Sequence, residues 1–143
     1  MEQPLDYRRE GRKFDLQERL LAYAVAIIRR AEKCHKTRAA AHVTDQLVRA
    51  GTSPLFNHGE AEAAESPRDF VHKLKICLKE LRESGRALLL VQRVPLLDDT
   101  ATVTPLLTET DELIRIFVAS IKTATKNMLR EDGGPESIPD TAE

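Results

Sequence analysis

Tryptophan is absent from the 143 residues, and only two tyrosines and four phenylalanines supply aromatic rings. A stacking platform for nucleobases is therefore not expected. Two cysteines cannot build a disulfide framework in a chain of this length, and they suit a reducing cytoplasm, where the protein is expected to reside. Long apolar runs are missing as well. The longest, Leu20 to Ile28, is far short of the ~20 residues that cross a bilayer. No cationic start followed by an apolar block opens the chain, so a secretory signal is not expected. Glycine-rich phosphate loops, serine elbows and Cys/His nucleophile patterns are also lacking.

What is present suffices for one domain. A chain of this size buries roughly 68% of its unfolded surface, and a composition of 41% hydrophobic and 31% charged residues excludes wholesale disorder. The net charge of −1 conceals an asymmetry. Five acids and no base follow Arg130, so residues 1–130 hold 18 acids against 22 bases, a balance of +4. A mildly basic body with an acidic tail points toward an anionic partner. Residues 1–13 are polar and aperiodic and are expected to form a flexible arm. Residues 14–130 form the folded body, and residues 131–143, with Gly133-Gly134-Pro135 and Pro139, a disordered acidic tail.

The apolar residues repeat with a period near 3.6. Asp15 and Glu18 form a capping-box pattern ahead of Leu16, Leu20, Ala24, Ile27 and Ala31, predicting a helix from Leu16 to about His35. A second helix starts near Thr37 or Ala39 and turns Val43, Leu47 and Ala50 inward. Gly51 and Pro54 predict a kink in it rather than an end. Ser66-Pro67-Arg68-Asp69 is a cap, a first-turn proline and an acid at the dipole's positive end, opening a third helix to about Gln92. Its core stripe is Phe70, Leu74, Cys77, Leu81 and Leu88. Thr104-Pro105 repeats the signal for a fourth helix carrying Leu106, Leu113, Phe117, Ile121, Ala124 and Met128 inward. No strand alternation competes. The expected fold is all-α, an antiparallel up-down-up-down four-helix bundle.

The polar face of the third helix carries the most information about function. Arg68, Lys75, Lys79, Arg82, Arg86 and Arg93 fall within a sector of about 60° at 100° per residue. The first helix and its exit add Arg29, Arg30, Lys33 and Lys36. Such a row can contact a phosphate backbone without reading bases. It can also be an ordinary solvated exterior. Apolar residues exceed what one core stripe needs: Leu21, Val25 and Ile28 on the first helix, and Val71, Leu78 and Leu89 on the third, are candidates for a contact between subunits.

Catalytic constellations are incomplete. His58-Gly59-Glu60 matches half of a zinc-deaminase signature but lacks the Pro-Cys-x-x-Cys half. Cys34, His35 and His42 straddle a helix junction and could supply three zinc ligands, although a core-edge thiol with solvated histidines fits equally simple requirements. Ser53, His58 and Glu60 share a helix without a triad's spacing. No cofactor and no enzymatic activity are expected.

Phe14-Asp15-Leu16, the Gln46-Leu47-Val48-Arg49-Ala50 run with Ser53, Asn57 and Glu60, and Asp69-Phe70 with Leu74 and Glu83 occur in an order and spacing that resembles a bacterial four-helix-bundle family. That family is associated with intervening sequences in large-subunit ribosomal RNA genes. The likeness covers Phe14 to Met128, with two departures: His58-Gly59 stands where the family often has Ile-Ala, and Lys79-Glu80 where it has a Gly-Ser pair. The resemblance implies a homo-oligomer, pentameric in the family. It also extends to a fold-related accessory protein of diversity-generating retroelements, implying nucleic acid or a protein such as a polymerase or reverse transcriptase as partner. Arg49, Ser53, Asn57 and Glu60 then form a polar motif. Asn57 and Glu60 share a helix face, as a site inside the bundle or as partners for backbone groups freed near Gly51 and Pro54.

Overall fold

The computed structural model describes residues 15–142, with side chains described from Asp15 to Glu131. The arm at 1–13 and the side chains of the acidic tail beyond Glu131 lie outside the described residues. Four helices follow one another: α1 (Leu16–Glu32), α2 (Arg38–Glu62), α3 (Pro67–Arg93) and α4 (Thr104–Ala142), the last preceded by a 3-10 turn at Thr100–Val103. Among the described residues there is no strand, and no helix is long and apolar enough to cross a membrane.

The helix starts follow from side-chain caps. Asp15, Thr37 and Ser66 each accept a hydrogen bond from the backbone N–H three residues on, at Glu18, Ala40 and Asp69. Each satisfies one of the donors that a helix N-terminus leaves open. Pro67 occupies the first turn of α3, where its missing N–H costs nothing. α1 ends three residues before the expected His35. The chain leaves the helix there because the His35 N–H donates to the Leu96 carbonyl at 2.7 Å, tying the α1–α2 connection to the end of α3.

α2 is one helix through Gly51 and Pro54. Pro54 has no N–H to return to the Ala50 carbonyl, and its own carbonyl accepts a hydrogen bond from the Cys77 thiol of α3 at 3.6 Å. Gly51 is required by closeness: a Cβ there would sit 2.7 and 2.8 Å from the two γ carbons of Ile27 on α1. Ile27 is fully buried and β-branched, so it has little freedom to yield.

Core positions match the apolar period. Leu20, Ile27, Leu47, Leu81, Leu88, Leu106, Leu113 and Phe117 are buried at under 2% exposure, and Leu16, Val43, Phe70, Ile121 and Ala124 pack at the edge. α3 is the common neighbour, packing on both α2 and α4, while α1 lies mainly on α2. Contacts step in opposite senses along α3. From Lys73 to Cys77 the partner on α2 moves back from Glu60 to Pro54. From Gly85 to Gln92 the partner on α4 moves back from Thr110 to Thr104.

One group of apolar residues needs correction. Val71, expected at a subunit contact, is 5% exposed, and Leu78 is half-buried against the core, because α4 packs on that side of α3. Leu89, Leu21, Val25 and Ile28 remain exposed.

Two glycine substitutions should move stability in opposite directions. Gly51→Val drives side-chain atoms into Ile27 and should cost about 1–3 kcal/mol. Gly59→Ala meets nothing within 4 Å and should gain up to about 1 kcal/mol from helix propensity. Thermal unfolding by circular dichroism measures both, and a stabilised Gly51→Val would refute the contact.

Candidate functional site

Six cations of α3 are on the outside, and the seventh, Lys73, is half-buried on the α2 side. Arg68, Lys75, Lys79, Arg82, Arg86 and Arg93 are each exposed, on the side opposite Leu74, Cys77, Leu81 and Leu88. Lys75, Lys79, Arg82, Arg86 and Arg93 make no ion pair with any described acid. The six run along 25 residues of helix, about 38 Å at 1.5 Å per residue. Arg29, Lys33 and Lys36 are exposed too, the last two flanking the His35–Leu96 bond near the Arg93 end of α3. Arg30 departs from expectation. It is 5% exposed, because it follows Ile27 by three residues and Tyr23 by seven and so shares their inward face.

Acids lie on the α2 side of α3. The Glu80 carboxyl is held above its ordinary range, first by burial and then by Glu83, with Lys79 and Arg49 opposing. Arg49 of α2 thus approaches α3 beside Glu80, while its guanidinium donates to Gln46 at 3.0 Å. Further along the same seam, the Glu60 carboxylate accepts from Lys73 at 2.7 Å. Between them, the Asn57 amide donates to both the Ser53 carbonyl and hydroxyl, at 3.1 and 2.8 Å. The motif Arg49, Ser53, Asn57 and Glu60 therefore lines the α2–α3 seam, with local and cross-helix bonds rather than convergence on a cavity.

The histidines and thiols are dispersed. His58 is buried edge-on to Phe117, with ring centroids 6.3 Å apart, whereas Glu60 turns outward to Lys73. His35 meets Asp98 at 2.9 Å on the surface. Cys34 turns its thiol to the Arg30 carbonyl at 3.5 Å. Among the described residues, no three metal-ligating side chains gather. Burial raises the Cys34 thiol and pushes Cys77 up to about 12, so neither is a ready nucleophile.

A buried polar cluster went unanticipated. Arg19 of α1 is 4% exposed and grips Glu109 of α4 with two parallel bonds of 2.7 and 2.9 Å, while its guanidinium also donates to Glu112. These acids hold the guanidinium proton more tightly than usual. Next to it, the Tyr23 hydroxyl lies 2.8 Å from Ser84 of α3 and 2.6 Å from Thr110 of α4. Thr110 gives its single proton to the Leu106 carbonyl at 2.7 Å, so it accepts from Tyr23, and Tyr23 accepts from Ser84. The relay joins three helices at one level. The sequence held a signal for it: Arg19 falls one turn from Leu16 and Tyr23, and Glu109 one turn from Leu106 and Leu113.

A family model described as 23S rRNA-intervening sequence protein matches residues 12–119. Among solved structures, the chain is similar to a protein of unknown function from the S23 ribosomal protein family of Bacteroides thetaiotaomicron VPI-5482. The two share 28% identity over 76% of this chain and 99% of that one, with a TM-score of 0.69. No curated protein matches.

Removing one side of the buried pair should be costly. Glu109→Ala should destabilise by about 3–5 kcal/mol, and Arg19→Met with Glu109→Met by clearly less, since no lone charge is then left inside. Urea unfolding measures both, and equal losses would show that packing rather than charge sets the cost. The thiols give a separate check. Both cysteines should resist iodoacetamide in the folded protein and react after denaturation, read by intact mass. Rapid native labelling of Cys77 would contradict its burial.

Proposed function

The chain belongs to the 23S rRNA-intervening sequence protein family, and we propose that it is a non-enzymatic, self-associating scaffold that contacts nucleic-acid phosphates through α3. In this reading it is a cytoplasmic antiparallel up-down-up-down bundle with α2 bent at Pro54. The observation that carries the proposal is the row of exposed cations from Arg68 to Arg93. Five of them form no ion pair among the described residues, and of these Lys79 alone feels a neighbouring acid, Glu80. Unneutralised charge at this spacing matches what phosphate binding uses, where released counterions supply the affinity and base identity is not read. The scarcity of aromatic rings agrees with a backbone-only mode.

Self-association is supported by Leu21, Val25 and Ile28, which are 39–42% exposed in one row on α1. A pentamer is the stoichiometry that the family resemblance suggests. Copies around a ring would repeat the cationic row and raise the effective concentration of weak contacts.

A second reading is favoured by Phe56, which is 67% exposed on α2. A large aromatic left in solvent suits an anchor for a partner protein such as a polymerase or reverse transcriptase, without nucleic-acid contact.

Fluorescence anisotropy with mixed-sequence RNA and duplex DNA separates the two. Phosphate binding should be insensitive to sequence and fall with salt at a slope near −0.9 per phosphate contacted on the duplex. Lys75→Glu with Lys79→Glu should abolish it while helix content stays unchanged. Absence of binding by wild-type protein at ~50 mM salt, where such contacts are strongest, would overturn the first reading and leave the second.

A further inference from the structure

The outer seam between α3 and α4 opens into a groove of ≈ 700 Å³ lined by Arg82, Gly85, Arg86 and Leu89 of α3 and by Leu107 and Ile114 of α4. Gly85 gives it depth: with no side chain of its own it leaves room beside the Thr110 methyl, which a Cβ there would meet at 3.4 Å. Leu89, Leu107 and Ile114 share the lining with Thr104, Thr108 and Thr110. Leu89 is 37% exposed, and Val118, 38% exposed, continues the α4 side. The rim is cationic. Arg82 and Arg86 stand on one edge without an acid partner among the described residues. On the other edge Asp111 is engaged by Arg115 at 2.7 Å, and Glu112 by Arg19.

α1 presents the complementary pattern. Glu18, Leu21, Val25, Ile28 and Glu32 recur at intervals of 3, 4, 3 and 4, so they form one row on the helix. The three apolar members are exposed, and an exposed acid closes each end. The row spans about 21 Å, and the α4 edge of the groove from Thr104 to Arg115 spans about 17 Å. Arg19 and Tyr23, bonded to α3 and α4, fix the rotation of α1 and so hold this row outward.

We propose that the α1 row of one copy docks on the α3–α4 groove of a second copy, with Leu21, Val25 and Ile28 over Leu89, Leu107 and Ile114 and with Glu18 and Glu32 to either side of Arg82 and Arg86. The two surfaces differ, so the contact is heterologous and each copy offers one of each, the arrangement from which rings are built. Arg82 and Arg86 then serve assembly, and Lys75 and Lys79 are left for phosphate. The inference rests on the self-association proposed above and adds which faces meet.

Charge exchange tests it. Light scattering at micromolar concentration should find wild-type protein as an oligomer. Glu18→Arg with Glu32→Arg should shift the mass toward monomer, as should Arg82→Glu with Arg86→Glu. All four substitutions on one chain should restore the oligomer, with helix content by circular dichroism unchanged throughout. As a second measurement, a chain with both Val25→Cys and Ile114→Cys should oxidise to a ladder of multimers, and Val25→Cys alone should not. An oligomer indifferent to the charge pairs, or Val25→Cys dimers, would overturn the pairing while leaving self-association intact. A monomeric wild-type protein would overturn both.

Discussion

A guanidinium inside the bundle sets the geometry of everything outside it. Arg19 holds Glu109 bidentately and reaches the part-exposed Glu112, and burial would penalise either Arg19 or Glu109 left alone. Such a pair is a poor source of net stability, because desolvation offsets most of the attraction. It is a strict source of orientation, since a rotated α1 would leave a carboxylate and a guanidinium buried apart. α1 needs that constraint. It is the shortest helix, at 17 residues, and packs chiefly on α2. The Ser84–Tyr23–Thr110 relay fixes it against the other two helices. With Arg19, Tyr23, Ile27 and Arg30 turned inward, the helical period leaves Leu21, Val25 and Ile28 outward. The exposed apolar row is therefore a consequence of the buried polar one.

α3 divides its duties by face. One side supplies Leu74, Cys77, Leu81, Leu88 and Val91 to the core, and the flanks receive α2 and α4. The acids of α3 turn toward α2, where Glu80 shares its surroundings with Glu83, Lys79 and Arg49. The remaining face carries cations alone. Mixed signs would favour local i,i+4 pairing and cancel the field; segregation keeps it for an outside anion.

Much of this was legible in the sequence because local chemistry decided it. Asp15, Thr37, Ser66 and Pro67 mark helix starts through bonds made within one turn, and the apolar period places the core. The cationic row was legible for the same reason, since fixed spacing on a helix fixes the face. Residues decided by a neighbouring helix were not legible. Val71 reads as surplus until α4 is seen to cover it, and Arg30 reads as a surface cation although its position follows Ile27 and Tyr23 inward. Arg19 and Glu109 sat inside apolar arcs, yet neither names the other across 90 residues. The Asn57 reading lay between these cases: its bonds to Ser53 are local, but the seam it lines is formed with α3.

The central claim is that one face of α3 meets phosphates, and lysine footprinting addresses it residue by residue. Lys75 and Lys79 lie on that face, while Lys73 lies on the α2 side, paired with Glu60. Reductive methylation with and without RNA at low salt should show Lys75 and Lys79 protected, Lys73 unchanged, and the protection lost as salt rises. Protection spread equally over the three lysines, or none at all, would contradict the account.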